Sequence, residues 1–429
     1  MMLHIAKDPQ PAALATLVER RAVGQQRWLA AGLPTGRLES WKHTSLRPMT
    51  RAMDGVVPRD VVPGDVVPSG ETTDAAMPAT QLDVTPLEGT VGTLVLINGR
   101  LNLALSVVPE GLSVVDLSLS TPDTVGTIAP IDRLEDALSA RNLADFDRGV
   151  ALLLDANVVI AGPVELRYLH DGAARATESR SLIQLAHHAE LSLVERHLSP
   201  DGGVHLCNHV VEVDLAAGAT LRHTQVQHQS EAAFHLAKVA VRQARDSRYE
   251  AQVAQFGAAI GRSDIEVFLA EPGASCQLDG FYHGHGAQHL DNHSAIHHLA
   301  GNTTSGEHYK GVLDDSATGI FRGNVLIYPN ASGCATVQLN RNLLLSDRAT
   351  VHTKPQLEID NDDVTASHGA TVGQLDDDAL FYLRSRGIPT EEARRLLIFA
   401  FAGEIVAKVT LPALQQQLRD ELTQRLAGL

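Results

Sequence analysis

The stretch HVVEVDLAAGATLRHTQV, residues 209–226, decides the fold. Two runs of alternating, β-branched character, HVVEVDL and TLRHTQV, flank a turn of small residues, Ala217-Gly218-Ala219. A period of two predicts strands, and a glycine between alanines predicts a tight connection. The same unit recurs on both sides. SLIQLA and LSLVER precede it; KVAVRQA, SDIEVFLA, GNVLIYP and TVQLNRNLLL follow, with turns at Pro272-Gly273-Ala274 and Ala331-Ser332-Gly333. From about 165 to 365 no segment of ordinary length has a helical period. A doubly wound parallel sheet is therefore excluded, because its crossovers need helices. The region is long for one sandwich, and Asn-Gly hairpin turns are scarce. The sequence thus predicts a parallel β-helix, in which short strands stack coil on coil.

Helices flank this core. Residues 11–31 predict an amphipathic helix with Leu14, Leu17, Val18, Trp28 and Leu29 facing inward, stopped by Gly32 and Pro34. The segment ESWKHTSL (39–46) follows it. In TLVLINGRLNLAL (93–105) the pair Asn98-Gly99 predicts a hairpin turn with φ > 0 at both residues. A short helix is expected near 131–144, and strand character from 150 to 164. Three helices should close the chain, at 376–386, 391–408 and 412–427. The second offers Ala393, Leu396, Leu397, Ala400, Phe401 and Ile405 as its apolar face; the third repeats Leu414, Leu418, Leu422 and Leu426 every four residues. These faces suit packing on one another or docking a partner. The expected organisation is mainly β: a helical region at 1–50, a linker at 51–92, a strand and hairpin lead-in at 93–164, the β-helix at 165–371, and a helical domain at 372–429.

Composition narrows the function. The 429 residues carry a formal charge of −16, which argues against nucleic acid and against an anionic membrane surface. Neither a secretory leader nor a membrane-spanning run is legible, so a cytoplasmic location is expected. The three cysteines, Cys207, Cys276 and Cys334, are widely spaced and read as buried hydrophobes. No phosphate-binding G-x-x-x-x-G-K-[ST], nucleophile elbow or H-E-x-x-H occurs. The acidic runs at 360–363 and 376–378 read as a solvated loop and a helix N-terminal turn. In the run HGHGAQHLDNHSAIHH (283–298), His289, Asp291 and His293 would share one face of a strand. Imidazole and carboxylate there could hold iron or zinc, although polar ladders are the commoner use of such residues in solenoids. His368, between Ser367 and Gly369, is a hydrogen-bonded turn residue, or a metal ligand or proton carrier.

The tracts YKGVL (309–313), NRNLLLS (340–346), KPQLEI (354–359) and DDVTASHGATVGQLDDDALFYLRSRGI (362–388) resemble the SufB/SufD family of iron–sulfur cluster assembly proteins, and HGATVG with FYLRSRGI resembles its SufD branch. The resemblance implies a right-handed parallel β-helix flanked by helical parts. It also implies assembly with a SufB-like paralogue and a SufC-like ATPase, the latter docking on the C-terminal helices. His368 falls on the histidine that the family implicates in building a nascent cluster at the SufB–SufD interface. Ala366 stands where SufD sequences often have cysteine, and Arg341 aligns with an essential SufB cysteine. A cluster needs thiolates, so the chain is expected to lend a histidine to a shared site and to hold no tightly bound cofactor alone. A transient cluster or iron would be shared with the partner subunit. Positions 341 and 368 are about one solenoid repeat apart, which predicts that both lie at one interface edge. The expected role is a non-catalytic scaffold, with homodimerisation possible for the isolated chain. Two alternatives are a β-helix enzyme acting on polysaccharide, disfavoured by 4% aromatic content, and a homodimer that binds iron through the histidine run.

Overall fold

The computed structural model describes residues 16–53, 84–173 and 175–426. Over these residues the chain winds into a parallel β-solenoid with two walls. Sheet A comprises β1 (Gly92–Ile97), β2 (Arg100–Leu101), β5 (Val164–Leu169), β7 (Glu190–Leu198), β9 (Thr220–His228), β11 (Arg248–Gln255), β13 (Ser275–Gly284), β15 (Thr304–Leu313), β17 (Cys334–Leu344) and β19 (Val364–Gly373). Sheet B comprises β3 (Leu112–Asp116), β4 (Arg148–Leu154), β6 (Ala176–Leu185), β8 (Leu206–Leu215), β10 (Phe234–Gln243), β12 (Ile260–Leu269), β14 (His289–His298), β16 (Thr318–Ile327) and β18 (Thr350–Ile359). From β5 onward each strand pairs in parallel with the strand two before or after it, so every coil gives one strand to each wall. Register partners Leu206, Phe234, Ile260, His289, Thr318 and Thr350 fall 26 to 32 residues apart.

Alternation sorts each strand into a lumen face and an outer face. On β8, Val211, Val213 and Leu215 point inward and join Val239, Val241, Ile265, Val267, Leu290 and Val325 in a continuous apolar column. Two aromatic rings fit inside because glycine lies beside them. A Cβ on Gly280 would stand 2.0 Å from Tyr309 Cε1, and one on Gly311 would stand 2.3 Å from Tyr282 Cε2. The turn at Asn98-Gly99 has φ of 48° and 82°, as expected for the hairpin, and it joins β1 to a β2 of only two residues. Gly218, in the opening stretch, has φ of 70°. All three cysteines are buried.

The outer face of sheet B lies under an N-terminal helical layer. Helix α1 (Leu17–Ala31) starts at a capping box between Thr16 and Glu19 and buries Arg20, Gly24 and Trp28. One described residue of the expected helix face differs. Val18 is exposed, and Leu14 is outside the described residues. The buried edge follows Gly24, which lets the helix approach α3 (Ala137–Asp145) closely: a Cβ there would stand 2.8 Å from Ala140 O. A short helix α2 (Arg47–Ala52) ends the layer, and most of the 51–92 linker lies outside the described residues.

The outer face of sheet A carries the C-terminal helices α5 (Thr390–Val406) and α6 (Pro412–Leu426), and α4 (Asp377–Ser385) packs on α5. Leu414, Leu418, Leu422 and Leu426 are buried as expected, against a cluster including Phe256, Phe281 and Val312. The α5 face needs correction. Ala393, Ile398, Ala402, Ile405 and Val406 are buried, while Leu396 is exposed. The segment LLIFAFAGEIV is apolar nearly all round, so its periodicity could not select a face; the Phe281 and Val312 surface does. Helix α4 buries no residue and leaves Phe381 and Tyr382 exposed. No helix among the described residues is long and apolar enough to cross a membrane.

Candidate functional site

The solenoid ends uncapped at β18 and β19. Among the described residues each pairs on one side only, with β16 and β17 respectively, and no described strand lies on its other edge. Edge strands usually carry charges or proline that block further pairing. β18 has Lys354, Pro355 and Glu358; β19, VTASHGATVG, has neither proline nor a carboxylate, lysine or arginine. His368 is exposed on this unguarded strand.

Register fixes which way His368 points. It pairs with Gln338, whose neighbours at alternate positions, Thr336 and Asn340, are buried with it in the lumen. His368 therefore ends an inward column that runs through Glu307 and Gln338, and stands at the open mouth of the lumen. Gln338 Nε2 donates to Glu307 Oε2 at 2.6 Å. Burial pushes the Glu307 carboxyl up to about 7, so a proton can be exchanged near neutral pH two coils below the mouth. Ala366 pairs with Thr336 on the same inward side. Arg341 departs from expectation. It is on the neighbouring coil, but it pairs with Thr371 and is exposed on the outer face. An odd offset of three residues from the His368 partner puts the two side chains on opposite faces of the sheet.

His289, Asp291 and His293 do share one face of β14, the outer face of sheet B. His293 Nε2 lies 2.8 Å from Asp291 Oδ1. The other carboxylate oxygen is already engaged, by Arg262 Nη1 at 2.6 Å and the Thr44 hydroxyl at 2.5 Å. His289 Nε2 also meets that hydroxyl, at 2.9 Å. Burial disfavours charge on Asp291, but the Arg262 charge and the hydrogen bonds from His293 and Thr44 outweigh it and hold the carboxyl well below the usual range. Burial also keeps both imidazoles down, and hence neutral. The trio is thus bound up with a cation and with the 39–46 segment: Arg262 also donates to Ser40 O at 2.9 Å and lies 3.9 Å from the Trp41 ring centroid. A groove of about 450 Å³ opens beside it, lined among others by Lys42, His43, Arg322, His352 and Lys354.

The family model for the SufBD core domain of the SUF system of FeS cluster assembly matches residues 168–401. The chain belongs to the SufBD family. It is 29% identical over 412 residues to the Escherichia coli iron–sulfur cluster assembly protein SufD, covering 94% of this chain and 92% of that one. It is 33% identical over 297 residues to a SufBD family protein of Synechocystis, and 32% over 296 residues to the SufD of Bacillus subtilis; each match covers 66% of this chain and 65% of the relative. The SufBD core runs from β5 into α5, so it includes His368, Glu307 and the β14 trio. The N-terminal layer and α6 lie outside it.

Sequence reasoning missed a second group of histidines. His170, His197, His205, His209, His223 and His235 are all buried in or beside the lumen. Their sequence signal was the coil length, since residues about 28 apart meet across it, as Glu195 meets His223 at 3.0 Å.

Proposed function

We propose that the chain is a scaffold subunit of an iron–sulfur cluster assembly complex, in which β19 pairs with a SufB-like paralogue and His368 supplies a ligand to a nascent cluster. The observation that carries this is the uncapped solenoid end: an edge strand without blocking residues, with an exposed imidazole at the mouth of the lumen. The position lacks a thiol, because Ala366 occupies the nearest inward site and Cys334 is buried against Thr303. The thiolates a cluster needs would come from the partner. Membership of the SufBD family supports the same reading. A SufC-like ATPase would dock on α4 and the adjoining surface of α5, where Phe381, Tyr382 and Leu396 are 71%, 57% and 47% exposed. This placement accounts for the lack of a nucleotide-binding motif in the chain itself.

The test is co-expression with its SufB-like and SufC-like partners. His368→Ala should leave the complex assembled while lowering bound iron, acid-labile sulfide and visible absorbance. Unchanged cluster content in an intact complex would remove the role assigned to His368.

A further inference from the structure

We propose that the lumen holds a first-row divalent metal ion, of the zinc or ferrous type, on Glu195, His197 and His209, with a water in the remaining position. This site is distinct from the open end and does not depend on the cluster-assembly role.

Glu195 and His197 alternate along β7 and both face the lumen; His209 faces them from β8, in the opposite wall. Their donor atoms all lie within 4.8 Å of one another. Glu195 Oε1 is 2.7 Å from His197 Nε2 and 3.4 Å from His209 Nε2, and its Oε2 is 3.0 Å from His223 Nε2. One carboxylate among three imidazoles is a donor set that suits zinc or ferrous ion. The outer partners also fit. Ser179 Oγ is 2.7 Å from His209 Nδ1, so that nitrogen can carry the proton and leave Nε2 free to ligate, the arrangement by which metal-bound imidazoles are usually oriented. Among the described residues His197 Nδ1 has no hydrogen-bond partner, so its proton can move there from Nε2 when a metal displaces the bond to Glu195.

Hydrogen bonding alone leaves this chamber unsatisfied. Among the described residues His170 has no hydrogen-bond partner for either ring nitrogen, His205 Nδ1 and His235 Nδ1 have none, and His209 Nε2 has only its long contact to Glu195, although these residues are between 0% and 4% exposed. Buried polar atoms left this way are costly and call for a water or an ion. A cavity of about 20 Å³, lined by Glu195, His197, Gln225, Gln227 and His235, adjoins the carboxylate and has room for one water. His170, His197 and Cys207 form an adjacent set that shares His197.

The test uses the full chain, stripped with chelator and titrated anaerobically with Co²⁺, Zn²⁺ or Fe²⁺ alone. One equivalent should bind per chain, raise the melting temperature and, for Co²⁺, give ligand-field bands. Glu195→Gln and His209→Gln should each weaken binding by at least ten- to a hundredfold, while His293→Gln should leave it unchanged. Should the lumen variants fail to fold, X-ray absorption of the zinc-loaded wild-type chain decides: a shell of imidazole and oxygen without sulfur supports the site, and a thiolate shell overturns it. Failure of the stripped chain to take up any of the three ions, or unchanged affinity in folded Glu195→Gln, overturns it as well.

Discussion

Arg262→Met should release the segment around Trp41 from sheet B. The Arg262 guanidinium is the hub of that contact. It bonds Asp291 and Ser40 O and lies over the Trp41 ring, and it is 4% exposed. Methionine keeps most of the stem but leaves the wholly buried Asp291 carboxylate with only Thr44 and His293. Removing one partner of a buried ion pair costs about 3–5 kcal/mol, because the other charge stays buried. The cation–π contact is part of the same loss and is not added to it. At about 1.4 kcal/mol per tenfold, opening of residues 39–46 should become two to nearly four powers of ten more frequent. Native-state hydrogen exchange over those amides reads this directly, and Trp41 emission in a Trp28→Phe background provides a second probe. Arg262→Met with Asp291→Leu should recover much of the loss, since it removes the orphaned charge. Protection within about 0.5 kcal/mol of wild type in the single variant, the range of ordinary surface changes, would refute the assignment of Arg262 as the hub. So would a double variant as unstable as the single one.

Acid should destabilise the solenoid earlier than carboxylate titration alone would. Burial holds His205, His283 and His298 down to about 4, 3 and 4, and keeps His170 and His235 well below their usual value. The unfolded chain takes up those protons near pH 6.5, so stability is full above that value and falls below it, by up to about 1.4 kcal/mol per histidine per pH unit. Glu178 and Glu307, raised by burial to about 7, act in the opposite sense but are outnumbered. Melting temperatures measured from pH 7.5 to 5 should therefore decline, and a flat profile would contradict this. Gly311→Ala should cost about 1–3 kcal/mol or more in denaturant unfolding, because the new Cβ would also stand 2.6 Å from Asn342 Oδ1. Phe381→Ser with Tyr382→Ser should change stability by less than about 0.5 kcal/mol yet weaken capture of the ATPase partner in a pull-down. Retained capture would place the docking surface elsewhere.

Much of the fold was legible because it rests on short-range chemistry. Alternation in HVVEVDL and TLRHTQV marked strands, Asn98-Gly99 marked its turn, and the leucines of α6 marked a buried stripe. Where a segment is apolar nearly all round, as in α5, its own periodicity gave no direction, and the neighbouring sheet chose the face. His368 was legible as a candidate from the tract around it. Its orientation was not, because the face on which a strand residue lies depends on its pairing register with β17.

The sequence by itself determined the solenoid, its flanking helices, the lack of a P-loop motif and the likeness to the SufBD family. Only the tertiary structure decided which polar residues meet. Asp291 meets Arg262 and Thr44 because the 39–46 segment folds back across more than two hundred residues onto β12 and β14. Glu195 meets His209 across the lumen from the opposite wall, and meets His223 because coils of about 28 residues stack in register. Strand alternation is local information, whereas the stacking of one coil on the next is a long-range pairing that the alternation permits without specifying.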